Sequence, residues 1–149
     1  MVRLRRSVIV YIGCPKMRDL EEYLNGWGLE TESHTLELNF QEIKEKLFEL
    51  VESRVNLLIT VGGIGLTRED VVPEAILSIM DRRLHGLEFI LLCDDDPRIP
   101  ILRSIVGIRR KTLMITLPDD LNMIKRMLDR ARKSILKALE VLEEYEESR

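Results

Sequence analysis

Strands and helices alternate along this 149-residue chain, and that alternation predicts an α/β protein with three α/β/α layers around a mostly parallel sheet. Three observations carry the prediction. Short apolar runs rich in β-branched residues at Ser7–Ile12, Leu57–Val61 and Thr112–Leu117 suit strands buried on both faces. Segments with apolar residues at helical spacing separate them. No repeat, low-complexity tract or linker breaks the order, so residues 1–149 are expected to form a single domain, frayed from about residue 146 onward.

The first strand, Ser7–Ile12, is stopped by Gly13, Cys14 and Pro15. Arg18–Trp27 carries a helical stripe of Leu20, Tyr23, Leu24 and Trp27, with Gly26 and Gly28 placed to end it. Leu29–Leu38 reads as extended, with Leu36 and Leu38 on one face. Asn39 and Glu42 have capping-box spacing and predict a helix from about Phe40 to Ser53, buried through Phe40, Ile43, Leu47, Leu50 and Val51. After the strand at Leu57–Val61, Val72-Pro73-Glu74 starts another helix. Leu87–Cys93 is too short and too uniformly apolar to separate strand from helix. Asp94-Asp95-Asp96 reads as a mobile acidic loop before Pro97, although three carboxylates also suit a hard cation. The strand Thr112–Leu117 leads to a long amphipathic helix, capped by Asp119 or Asp120 and running to about Glu146.

Composition excludes several functions. A net charge of -3 and a pI near 5.5 argue against nucleic-acid binding, and the short basic clusters at Arg3–Arg6, Arg109–Lys111 and Lys125–Lys133 read as solvated faces. No apolar run reaches the length of a membrane span or a signal peptide, so a cytoplasmic location is expected. Cys14 and Cys93 lack metal-ligand spacing. Cys14 is expected to be a buried apolar thiol. A charged fraction of 33% with almost no Gln matches the bias of heat-adapted proteins.

The stretch Leu57–Ala75 is where a ligand is expected. Gly62, Gly63 and Gly65 follow the strand at once, and glycines there let main-chain N–H groups approach an anion. The spacing is neither G-x-G-x-x-G nor a Walker loop, so on spacing alone a tight strand-to-loop turn is the favoured reading over a ligand role.

The stretch Thr60-Val-Gly-Gly-Ile-Gly-Leu-Thr-Arg-Glu-Asp-Val-Val-Pro-Glu-Ala75 follows, without a gap, the motif TTGGTGLTPRDVTPEA of the MogA/MoaB family of molybdenum-cofactor biosynthesis. Leu102–Leu121 resembles the family's later SRAVAGVRGGTLIxxLPGSP. The resemblance runs from about Val55 to the carboxyl terminus. It implies a homotrimeric molybdopterin-binding domain which, in catalytic members, adenylylates molybdopterin with ATP and Mg2+. By position it implies a nucleotide and molybdopterin site of Gly62, Gly63, Ile64, Gly65, Pro73, Glu74, Arg103, Arg109, Pro118 and Asp119. Asp70 would be the catalytic and metal-binding carboxylate, while Asn39 falls near the family's second catalytic Asp. For Asp70 the alternative is an amino-terminal helix cap ahead of Pro73.

The chain departs from the motif at Val61, Ile64, Val72, Leu102 and Asp119-Asp120-Leu121, which replace hydroxyl or small residues. Two further readings therefore stand beside adenylyl transfer: a non-catalytic binding or assembly subunit, and, ranked lower, a CinA-like nucleotide hydrolase.

Overall fold

The computed structural model describes residues 4–144. Its sheet has six strands in the order β2-β1-β3-β6-β5-β4. The strands β1 (Arg5–Ile12), β2 (Leu29–Leu36), β3 (Leu57–Val61) and β6 (Thr112–Leu117) run parallel, with Tyr11 opposite Val61 and Val61 opposite Leu117. The strands β5 (Val106–Arg109) and β4 (Arg82–Arg83) add an antiparallel edge. That edge was not foreseen in the sequence, because strands of four and two residues carry too little period to be read.

Alternation along each buried strand sends its residues to two separate cores. Ile9 and Tyr11 of β1, with Leu57, Ile59 and Val61 of β3, meet the helices α1 (Arg18–Asn25), α4 (His85–Leu92) and α5 (Leu121–Glu144). Val8, Val10, Ile12 and Leu58 meet α2 (Phe40–Glu52) and α3 (Val72–Leu77) on the other face. The three layers expected from the alternation are therefore present. Leu87–Cys93, ambiguous in sequence, is helical as α4 through Leu92, with Leu87 and Leu91 buried.

Several local expectations are corrected. The Asn39 side chain accepts from the Glu42 amide, but the Asn39 N–H goes to the Glu37 carbonyl, so only half of the capping box forms. Phe40 is exposed, because the buried stripe of α2 begins at Ile43. Of the two caps the sequence allowed for α5, Asp120 is the one that forms, accepting from the Met123 amide at 3.1 Å. Asp94 is not a free loop carboxylate. Arg126 at 2.6 Å and Arg130, both on α5, hold it, so part of the supposedly solvated Lys125–Lys133 face is paired. The expected fraying from about residue 146 lies outside the described residues.

Candidate functional site

The chain order reverses direction across the sheet between β1 and β3: β2 lies to one side of β1, while β3 and β6 lie to the other. In an open parallel sheet this switch splays the following loops apart and leaves a crevice beyond the carboxyl ends of the strands. Ile12-Gly13-Cys14 leaves β1 there and Gly62-Gly63 leaves β3 beside it. An open cleft of about 560 Å³ adjoins the β1 loop on its β2 side, walled by Gly13, Cys14, Pro15, Leu36, Glu37 and Glu42.

The glycine turn is required by its backbone. Gly62 has φ 99°, and a Cβ there would stand 2.5 Å from the Ile12 carbonyl oxygen. Gly63 has φ 72°, and its Cβ would meet Val72 Cγ2 at 2.5 Å. At Gly65 a Cβ would press on Asp70 Oδ2 at 2.8 Å. The Gly62 amide donates to Leu117, and the Gly63 and Ile64 carbonyls accept from the Val72 and Arg103 amides, so the turn is fastened to the start of α3 and to the 102–104 segment.

Asp70 turns back toward this loop. One of its oxygens, Oδ2, accepts from the Thr67 amide at 2.9 Å and from the Thr67 hydroxyl at 2.7 Å. Partial burial pushes its pKa up, but the Thr67 hydroxyl, the Thr67 and Gly65 amides and the nearby Arg103 charge outweigh that and hold the carboxyl below its usual range. Asp70 is therefore not a cap of α3, whose N-cap position is Val71 without a side-chain bond. Pro73 is buried at the second helical position, while Glu74 faces out and pairs with Arg103 at 2.6 Å. Arg103 also donates to the carbonyls of Gly65, at 3.0 Å, and Asp70. One guanidinium thus ties both ends of the 65–74 loop together.

The structure brings most of the motif residues to one end of the sheet and separates two. Ile64 is buried in the core under α3, so its side chain does not line the crevice. Its apolar character, odd for a phosphate loop, is explained by packing. Arg109 lies at the opposite end of the sheet, paired in register with Thr112 at the start of β6. It donates to the Ile79 carbonyl at 2.7 Å and its guanidinium sits 5.0 Å from the Phe48 ring centroid, far from the glycine turn. Pro118 is buried and Asp119 is exposed where β6 ends, beside the crevice. Asn39 stands where β2 gives way to α2, its carbonyl side committed to the Glu42 amide.

Two further residues belong here. Cys14, expected to be buried, is half-buried in the cleft wall, its thiol donating to the Val61 carbonyl at 3.5 Å. Burial and the Asp119 charge both push its pKa up, which keeps the thiol protonated. Leu38 leans across the switch point: Cβ atoms added at Gly13 or Gly63 would meet its side chain at 2.9 and 3.0 Å. The strand ends at Leu36, and this frees Leu38 to cross over. Beneath the turn, the Thr60 and Ser104 hydroxyls are buried without a hydrogen-bond partner among the described residues.

An open, mostly parallel sheet with a glycine turn and an ionised aspartate at its switch point defines the class: an open α/β domain with its candidate site beyond the carboxyl ends of β1 and β3. The chain belongs to the molybdenum-cofactor biosynthesis family described as "Probable molybdopterin binding domain", which matches residues 17–138. It is 36% identical over 91 residues to a gephyrin of Dictyostelium discoideum, covering 59% of this chain and 13% of that protein. It is 33% identical over 97 residues to a molybdopterin adenylyltransferase of Escherichia coli (strain K12), covering 58% of this chain and 47% of the relative. The chain thus spans less than half the length of these curated relatives. In fold it is similar to the molybdopterin biosynthesis Mog protein of Mycobacterium ulcerans, with a TM-score of 0.88 and 23% identity over 97% of this chain and 100% of that one. The tungsten cofactor synthesizing protein MoaB of Pyrococcus furiosus gives 0.78 and 19%, over 95% of this chain and 99% of that one.

Proposed function

We propose that this domain holds molybdopterin and ATP in the crevice beyond β1, β3 and β6, and transfers adenylate from ATP to the pterin's phosphate, breaking the α–β phosphoanhydride bond and releasing pyrophosphate. The observation that carries this reading is Asp70: a carboxylate kept ionised beside the glycine turn, whose Thr67 bonds fall on Oδ2 alone. Magnesium suits that donor. It needs only one or two protein carboxylates when phosphates and water complete its shell, and among the described residues no cluster of three or more His, Cys, Asp or Glu would hold a metal without them. Bound with the nucleotide, Mg2+ would neutralise charge on the phosphates. Asp70 would hold it, and the main-chain amides of Gly63 and Ile64, the two in the turn not already given to Leu117 or Asp70, would orient the phosphates. Arg103 keeps the 65–74 loop in place through Gly65, Asp70 and Glu74.

A second reading, a binding or assembly subunit without turnover, draws support from three features at the same crevice. Leu38 lies across it, Asn39 brings no charge and already caps α2, and Asp119 exposes a carboxylate that would repel an anionic ligand unless a cation intervened. As in the MogA/MoaB family, assembly as a homotrimer in the cytoplasm completes the proposal.

Incubation with molybdopterin, ATP and Mg2+ separates the readings. Adenylylated pterin, lost in Asp70→Ala, is the expected result. Calorimetric binding of molybdopterin with no product would establish the second reading, and hydrolysis of ADP-ribose without adenylylation would point to the CinA-like activity.

A further inference from the structure

We propose that the end of the sheet opposite the glycine turn carries a second anion site, sized for a phosphate or pyrophosphate group. A cavity of about 210 Å³ opens there between the end of α2 and the β5–β6 turn, walled by Arg54, Asn56, Arg110 and Lys111. A neighbouring groove shares Arg54, Asn56 and Lys111 and adds Arg5 and Arg6. Five cations and two carboxylates, Glu52 and Glu143, line the two spaces, and a third carboxylate, Glu32, lies against Arg6, in a chain whose net charge is -3. Glu143 is taken up by Arg5 at 2.5 Å, Arg6 is taken up by Glu32 at 2.7 Å, and Glu52 reaches Arg110 only at 3.7 Å. Among the described residues, Arg54 and Lys111 form no ion pair.

The backbone is also unusual at this end of the sheet. Arg54 and Arg110 are the two non-glycine residues with positive φ among the described residues, at 63° and 54°. Arg54 follows the end of α2 and Arg110 sits in a hairpin turn, both places where glycine or asparagine would relieve the strain. At each, the chain places an arginine instead, and both arginines wall the same cavity. Asn56 adds a neutral donor, since its carbonyl oxygen is already committed to the Arg6 amide at 2.8 Å and its NH2 group is left. Guanidinium, ammonium and amide donors that line one cavity suit phosphate oxygens, and a space this small admits a phosphate or pyrophosphate group but not a folded acidic peptide.

The test is an amide-resolved NMR titration of the protein with inorganic phosphate, with pyrophosphate, and with chloride at matched ionic strength. Saturable shifts at Asn56, Arg110 and Lys111 with either phosphate species, absent with chloride, are expected. Pyrophosphate binding more tightly than phosphate would identify a polyphosphate chain as the ligand, and equal binding would identify a single phosphate. Arg54→Gly and Lys111→Ala should each weaken binding about tenfold. Arg54→Gly should melt no lower than the parent protein, so that lost binding is not lost folding. Shifts equal to those with chloride, or confined to Gly62–Gly65, would overturn the proposal. So would a crystal structure in which a carboxylate of this chain, or of a second copy, fills the cavity.

Discussion

At Gly62 the chain accepts no side chain at all. Its φ of 99°, with the Ile12 carbonyl oxygen 2.5 Å from where a Cβ would stand, makes Gly62→Ala both strained and overpacked, whereas Gly28, with φ 85°, has open space around it. Gly28→Ala should therefore cost about 1–2 kcal/mol and Gly62→Ala clearly more, roughly 3 kcal/mol or above, in denaturant unfolding. Titration acts at the same scale. Arg98 holds the Asp96 carboxyl down at about 2, and Asp70 also lies below its ordinary 3.8. A carboxyl whose folded pKa is depressed contributes stability that is complete above its unfolded value and is lost as pH falls through the folded one. Stability should thus decline from just below pH 4 toward pH 2, and Asp96→Asn should flatten that part of the curve in acid unfolding followed by circular dichroism. The three glycines were legible as a turn because glycine has few other uses after a buried strand. The partner of Asp70 was not, because a Thr67-x-x-Asp70 contact is one of several that the spacing allows.

Among the elements, α5 is the one whose pattern and packing agree best. Its buried stripe of Met123, Ile124, Met127, Leu128, Ala131, Ile135 and Leu139 repeats at three and four residues against the core shared with α1 and α4. Ile135→Ala at the fully buried centre is expected to cost about 3 kcal/mol, and Leu136→Ala, only partly buried beside it, about 1 kcal/mol. The same helix reaches over to the end of α4: Arg126 and Arg130 hold Asp94, and Arg130 also donates to the Ile90 and Leu91 carbonyls. These are among the last carbonyls of α4, which lack partners within their own helix. Asp94→Ala should loosen this clasp, read as faster hydrogen exchange at residues 91–96 with α2 and α3 unchanged. Sequence alone left Leu87–Cys93 undecided, since so short and apolar a run fits either element. The arginines of α5, supplying partners to the carbonyl end of a helix, accompany the outcome that the local pattern could not fix.

For the whole molecule, exposed Leu66, Phe89 and Ile101 leave apolar surface outside both cores. The proposed homotrimer would cover part of such surface, and sedimentation analysis is expected to give three times the 17.4 kDa of one chain. A mass of a single chain would remove trimerisation from the proposal.

The sequence by itself determined the layer architecture, the parallel strands β1, β3 and β6, the glycine turn and the family, because these rest on local period, backbone freedom and contiguous motif. Tertiary structure decided which motif residues meet. It buried Ile64, carried Arg109 to the far end of the sheet, laid Leu38 across the crevice and turned Arg103 onto the 65–74 loop. It also joined Arg54 to Arg110 and Lys111, residues far apart in the chain. The physical reason is that strand register and the switch in strand order bring distant segments together, and neither is written in the spacing of neighbouring residues.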